Sequence, residues 1–228
     1  MRSYLYETHL HTSPVSRCAR CSVTENLEFY RKKGYTGVFI TNHFIDGNSN
    51  TCHDLSYEEK INFYFSDYEE ALSYAKEVGI DVFLGVEMSY HGTDFLVYGL
   101  DKEWFLQHPE IMDMKKSDEL AFLRDAGALI IHAHPFREAN YIDHIRLFPR
   151  LVEGVETVNA CRTEFENKMA DLYATEYGLL KVAGGDNHVA GAAKRLAGLA
   201  FSTPLQNEAD FISRVRAGAF SIFAQDNI

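Results

Sequence analysis

Eight short runs rich in β-branched and aromatic residues alternate along this chain with longer segments of helical period, and that alternation restricts the fold more than any other feature. A strand, a helix and a second strand form a βα unit, and a series of such units builds a largely parallel sheet or barrel. The strand-like runs cover residues 4–8, 38–41, 82–86, 95–98, 129–132, 155–158, 180–183 and 199–201. So many short runs suit a barrel better than a sandwich. Helical spacing covers 24–33, 118–126, 164–177 and 209–217, and a longer helix is expected over 56–78, with a break allowed near Ser66. Ser22 with Glu25, and Ser56 with Glu59, carry the capping-box pattern that starts a helix. The aromatic stripe Phe63, Tyr64, Phe65 and Tyr68 reads as a core-facing helix side. No repeat, low-complexity tract or Pro-rich linker marks a boundary, so the chain is expected to form one domain over 1–228.

Charge narrows the partners. There are 33 acidic and 22 basic residues, a net charge of −11. That field repels polyanions, so a nucleic-acid polymer is a poor partner and any phosphate handled here needs a local cationic patch. No apolar run reaches the length of a membrane span, and residues 1–11 lack the apolar stretch of a signal peptide. A cytoplasmic protein without a membrane partner is expected, its oligomeric state left open. The four cysteines, Cys18, Cys21, Cys52 and Cys161, are too irregularly spaced for a disulfide framework and read as free thiols. Cys18-x-x-Cys21 lacks the second pair that would complete a structural zinc site.

Ligand-type side chains fall at the C-terminal ends of the expected strands. His9 and His11 close the first, His43 follows the second and Glu87 the third; His134 follows the run ending at His132, and Asp186 and His188 the run ending at Ala183. In a parallel barrel those ends converge on one face, where active sites of that architecture sit. His9-x-His11 and Asp186-x-His188 can each grip one ion, because alternate residues of an extended chain project to the same side. Imidazoles mixed with carboxylates suit Zn, Mn or Fe rather than Ca or Mg. Seven candidates exceed the three or four donors that one catalytic zinc takes, so at least two divalent ions are expected, with Glu87 able to bridge a pair. Paired ions are the usual machinery for hydrolysing phosphate esters.

The segments E-T-H-L-H-T-S (from Glu7), I-T-N-H-F (from Ile40), G-V-E (from Gly85), A-H-P-F-R (from Ala133) and G-G-D-N-H (from Gly184) resemble, in order and spacing, the motifs of the PHP (polymerase and histidinol phosphatase) superfamily. The resemblance spans Glu7 to His188. It implies an α/β fold, a distorted (β/α)7 TIM-like barrel holding two or three Zn, Mn or Fe ions, and hydrolysis of phosphomonoesters or phosphodiesters. Position by position, His9 and His11 resemble the first ligand pair, His43 the ligand of the T-D-H motif, Glu87 the bridging carboxylate, His134 the histidine before proline, and Asp186 and His188 the closing pair. Asn42 stands where that motif has Asp. Another histidine ligand often lies between Glu87 and Gly99, where this chain offers His91, Asp94 and Leu96. The family's further Asp or His, five or six residues after H-x-H, is replaced by Ser16 and Arg17. That gap is expected to leave one ion loosely held; the alternative turns Cys18 inward as a thiolate.

Arg137, Asp186 and His132 are the residues expected to act in catalysis. A hydroxide activated between the ions would attack a small phosphorylated substrate, Arg137 would stabilise charge on the non-bridging oxygens, and His132 or a released ligand histidine would protonate the leaving group. Arg137 is expected to matter for phosphate binding and not for folding. Arg17, Arg20, Lys194 and Arg195 lie in loops beside the motifs and are further phosphate-binding candidates. His53, His108 and His144 match no motif and read as surface residues. Two other readings stay open: an amidohydrolase-type barrel, which also opens on H-x-H but normally supplies a bridging lysine, and a barrel module that binds metal without turnover.

Overall fold

The computed structural model describes residues 3–227; Met1, Arg2 and Ile228 of the expected 1–228 domain lie outside the described residues. The chain runs β1 (Tyr4–Leu10), α1 (Val23–Lys32), β2 (Gly37–Ile40), α2 (Tyr57–Val78), β3 (Asp81–Tyr90), β4 (Thr93–Tyr98), α3 (Lys102–Gln107), α4 (Lys116–Asp125), β5 (Leu129–Ala133), β6 (Gly154–Asn159), α5 (Glu164–Tyr177), β7 (Leu180–Gly184), β8 (Arg195–Phe201), α6 (Glu208–Arg216) and β9 (Ser221–Asp226). The expected α/β barrel is present as one nearly closed sheet, in the order β7-β6-β5-β4-β3-β2-β1-β8-β9. Its nine strands replace the seven implied above.

Pairing is parallel from β1 through β2 to β3 and from β5 through β6 to β7, but β4 runs antiparallel to both its neighbours. The cause is chain length. Only His91 and Gly92 separate β3 from β4, both at positive φ, and a parallel crossover needs a dozen residues or more. The expectation of a largely parallel sheet therefore fails around β4. It fails again at the end, where β8 pairs antiparallel with β1 and β9 with β8. On its other flank β1 meets the segment just after β7: Asp186 N donates to His9 O (2.8 Å) and His11 N to Asn187 O (3.2 Å).

The helices begin where capping dictates. Ser22, Ser56 and Thr163 each accept from the backbone of a glutamate three residues on, whose carboxylate returns to the cap. α2 is continuous through Ser66, whose hydroxyl donates back to Phe63 O (2.7 Å) instead of breaking the helix. Its side chains Tyr64 and Phe65 pack with Phe44 and Phe105 in the layer between sheet and helices.

Inside the barrel, Tyr6, Phe39, Leu96, Tyr98, Ile131 and Val182 meet one another, and α6 inserts Phe211 against Phe39 and Tyr98, with ring centroids 4.3 and 5.1 Å away. Truncating so enclosed a ring typically costs about 3–5 kcal/mol. Glu208, at the start of α6, accepts from Leu84 N on β3 (3.0 Å), tying the helix to the sheet. No described helix is long and apolar enough to cross a membrane.

Candidate metal centre

β1 places His9, and the first residue after the strand is His11; both are fully buried and their rings meet on one side of the chain. The far nitrogen of each ring is anchored. His9 Nδ1 lies 3.0 Å from Glu156 Oε1 on β6, and His11 Nδ1 lies 3.1 Å from Ser16 Oγ. Ser16 donates its own hydroxyl to Asn42 Oδ1 (2.8 Å), so its oxygen accepts from the ring. Each Nδ1 then carries the proton, and each Nε2 presents a lone pair.

Those two Nε2 atoms are 3.2 Å apart. His9 Nε2 also lies 3.2 Å from Glu87 Oε1, and His11 Nε2 lies 3.3 Å from both Glu87 Oε2 and Asp186 Oδ1. His43 Nδ1 stands 2.7 Å from Glu87 Oε2, and His134 Nε2 stands 3.3 Å from Oε1. Neither Glu87 oxygen has hydrogen-bond geometry to any of these rings, and His43 Nδ1 is likewise unpartnered among the described residues. Lone pairs facing lone pairs and carboxylates at such distances repel, and a buried carboxylate without partners costs several kcal/mol. Cations shared among these atoms would remove both penalties, so the donor set fits divalent metal ions.

The electrostatics lean the same way. Burial opposes ionisation of Glu87, but His43, His9 and His11 hold its carboxyl well below the usual range. Burial likewise opposes Asp186, which His9, His11 and His134 hold well below. Burial disfavours a charged His9, yet Glu156, Asp186 and Glu87 outweigh it and raise its pKa well above the ordinary value. For His11, burial and then the neighbouring His43 lower the pKa to about 3.

Two donors sit in strained backbone. His134 (φ 27°) and Asp186 (φ 53°) occupy the left-handed region, which costs a non-glycine residue on the order of 1–3 kcal/mol. Contacts hold them there: His134 N donates to Glu156 Oε2 (3.2 Å), and Asp186 N to His9 O. The glycines before Asp186 are required by close approach. A Cβ on Gly184 would strike Glu156 and His9, and one on Gly185 would strike Glu7, whose carboxylate accepts from Gly185 N (2.6 Å) and His9 N (2.9 Å).

All seven expected donors fall into overlapping clusters whose donor atoms lie within 4.8 Å of one another: His9 with Glu87 and His134; His9 with His11 and Asp186; His43 with Glu87 and Asp94; and His11 with Cys18, His43 and His188. Asp94, one of three positions weighed between Glu87 and Gly99, is the one brought in; His91 is exposed in the β3–β4 turn. Cys18 leaves Cys21 and joins the histidines. Burial raises the Cys18 thiol pKa, but His188 and His43 outweigh it and bring it to about 6. Burial lowers that of His188, which Cys161, Cys18 and Asp186 raise to about 10.

The expected cations divide. Arg137 is fixed by Asp94 (2.9 Å), Tyr141 (2.7 Å) and Gly92 O (3.2 Å), and lines with His43 a cavity of about 370 Å³. Lys194 lines a second cavity of about 510 Å³ with His188. Arg17 instead donates to Ser49 O (2.8 Å) in the loop after β2, and Arg195 lies 3.9 Å from Asp226 and 4.0 Å from Glu164, so their guanidinium groups are engaged away from the donor cluster. His132 is also corrected. It belongs to no donor cluster, is fully buried, stacks on Phe95 (centroids 5.1 Å) and faces Tyr173 of α5, on the side of β5 opposite Ile131 and Ala133. Burial and then His134 lower its pKa to about 3, which disfavours the imidazolium form that a proton donor to a leaving group needs.

Several contributors had no local signature: Glu156, Arg162 (3.9 Å from Asp186 Oδ2) and Asp67, which accepts from Thr12 (2.7 Å) and Asn42 (3.2 Å) beneath the site. Asn42, in place of the motif's Asp, serves as a relay between Ser16 and the buried Asp67 carboxylate.

No protein-family model and no curated protein matches the sequence. Solved structures do share the fold. A two-domain protein from Bacteroides vulgatus, described as containing a predicted PHP-like metal-dependent phosphoesterase, aligns with a TM-score of 0.72 at 12% identity over 97% of this chain. The chain spans 65% of that protein's length. A protein of Bifidobacterium adolescentis, assigned as a metal-dependent phosphoesterase, aligns with a TM-score of 0.55 at 14% identity, covering 80% of this chain and 87% of its own. An amidohydrolase from Chromobacterium violaceum, with bound sulfate and no metal, aligns with a TM-score of 0.58 at 16% identity, covering 95% of this chain and 97% of its own. The fold is thus shared both with proteins described as PHP-like or metal-dependent phosphoesterases and with an amidohydrolase.

Proposed function

We propose that this chain hydrolyses a phosphate ester of a small molecule with the help of two or more divalent metal ions held by His9, His11, His43, Glu87, His134, Asp186 and His188. The observation that carries the reading is Glu87, fully buried with both oxygens free of hydrogen bonds while four imidazoles face it. Bound there, the ions would supply Lewis acidity and lower the pKa of water near them.

The protein's own residues do the rest. Glu156 and Ser16 fix the tautomers of His9 and His11, and Glu7, braced by two backbone amides, holds β1 against the loop that carries Asp186. The phosphate part rests on two arginines. Nε of Arg137 and Nε of Arg162 are buried donors without a partner among the described residues, each leaving about 1–3 kcal/mol that an oxyanion would recover. In a chain of net charge −11 they supply the cationic patch beside the donors.

The test is hydrolysis of an aryl phosphate by the purified protein after chelation and after readdition of Zn, Mn or Fe. Activity lost on chelation and restored by metal is expected. Metal bound by elemental analysis with no turnover of any phosphate ester, but with turnover of amides or lactones, would transfer the site to the amidohydrolase class.

A further inference from the structure

The loop after β1 is pinned at both ends. Arg17 N donates to Asn48 O (2.9 Å), Arg20 N donates to His188 O (2.8 Å), and Ser16 Oγ accepts from His43 N (3.1 Å). Cys18 is thereby held between the segment after β2, which carries His43, and the segment after β7, which carries His188. Its sulfur lies within 4.8 Å of donor nitrogens of both and of His11. His11 is committed elsewhere: Nδ1 is bound to Ser16, and Nε2 faces Glu87 and Asp186.

We infer that Cys18 is a metal ligand, forming with His43 and His188 a thiolate–imidazole site for one divalent ion, beside the carboxylate-bridged ions around Glu87. This rests on the metal centre proposed above and departs from the expectation of a loosely held ion. Ser16 cannot fill the gap, because its hydroxyl is used by His11, His43 and Asn42. Three protein donors leave a position open on a tetrahedral ion, the arrangement of catalytic rather than structural zinc. A thiolate with two imidazoles prefers zinc over manganese. Ligation replaces the S–H bond by a sulfur–metal bond and releases one proton to the buffer. His188 also lines the cavity that holds Arg162 and Lys194, so a phosphate oxygen bound there would be the group suited to complete the shell.

Cobalt(II) reads this directly. Titrated into metal-free protein, it should give visible d–d bands together with a near-ultraviolet sulfur-to-cobalt charge-transfer band. Cys18→Ser should lose the charge-transfer band and about one bound ion per chain while the other cobalt stays, whereas Cys21→Ser and Cys161→Ser should keep the band. Cobalt binding to the unmutated protein without a charge-transfer band would overturn the thiolate and leave the Glu87 centre standing, whatever the variants do. A band that survives in Cys18→Ser also overturns it. No cobalt bound at all would overturn both.

Discussion

His9 and His11 stand two residues apart at the end of one strand, yet the protein supports them in opposite ways. Toward β6 and β7, His9 is backed by the Glu156 carboxylate, with Glu7 beneath and Asn159 donating to Glu156 (2.7 Å). Toward β2 and the loop after β1, His11 is backed by the Ser16 hydroxyl, then the Asn42 amide, and only behind that by Asp67. A carboxylate behind an imidazole raises its basicity and strengthens its bond to metal, whereas a hydroxyl mainly orients it. Burial opposes a charged His9, but Glu156 leads the carboxylates that raise its pKa well above the ordinary value, while burial and then His43 lower that of His11 to about 3. With ions bound as proposed, one flank would hold its ion tightly and the other would hold an ion whose shell depends on Cys18 and substrate.

The largest effect should come from Glu87, which both flanks share. Glu87→Gln keeps the shape and removes the charge, and should lower metal content and kcat/KM by more than the about hundredfold known for orienting residues. Full metal content by elemental analysis would break the shared-centre reading. Next in size, Glu156→Gln should weaken the tightest ion by about 10–100-fold, and Ser16→Ala should weaken binding by less than about tenfold. Equal losses in calorimetric titrations of the two variants would abolish the asymmetry.

Arg137→Ala should lower kcat/KM by roughly tenfold with metal retained. It should also lower Tm, because Asp94 is buried and would lose its ion-pair partner, which revises the expectation that Arg137 matters only for phosphate. Unchanged thermal unfolding would restore that expectation. The smallest effect belongs to the other cavity. Arg162→Ala should raise KM severalfold and Lys194→Ala less, since the lysine is exposed and its charge is screened. A larger loss from Lys194→Ala would reverse the assignment.

The donors were legible because strands end in them: H-x-H after 4–8 and D-N-H after 180–183 are local patterns, and the barrel geometry that gathers them is generic. The supports were not. Glu156 acts on a histidine 147 residues away and Asp67 on Thr12 across 55, and a glutamate in a strand or an aspartate in a helix shows nothing of such a role. The misplacement of His132 has a simpler source. Successive strand residues face opposite sides, so a histidine adjacent to inward-facing Ile131 and Ala133 had to point outward once β5 was in place. β9 went unseen because it is exposed along nearly its whole length and lacks alternating apolar residues, and α3 because a six-residue helix spans under two turns. The antiparallel β4 was within reach, since the interval from Val86 to Phe95 is too short for a crossover.

The join between β1 and the segment after β7 gains a mechanical meaning from the donors that flank it. Only a few backbone hydrogen bonds tie the first strand to the residues after the seventh, and His9 and His11 lie on one side of that seam with Asp186 and His188 on the other. An ion gripped by both sides is a clasp. It would close the barrel while serving the proposed reaction, so the metal's binding energy would also stabilise the fold. Stripped of metal, the cylinder has its weakest line there, and unfastening should start at Asp186 and spread along β7, so that losing the cofactor and losing the barrel become successive stages of one event.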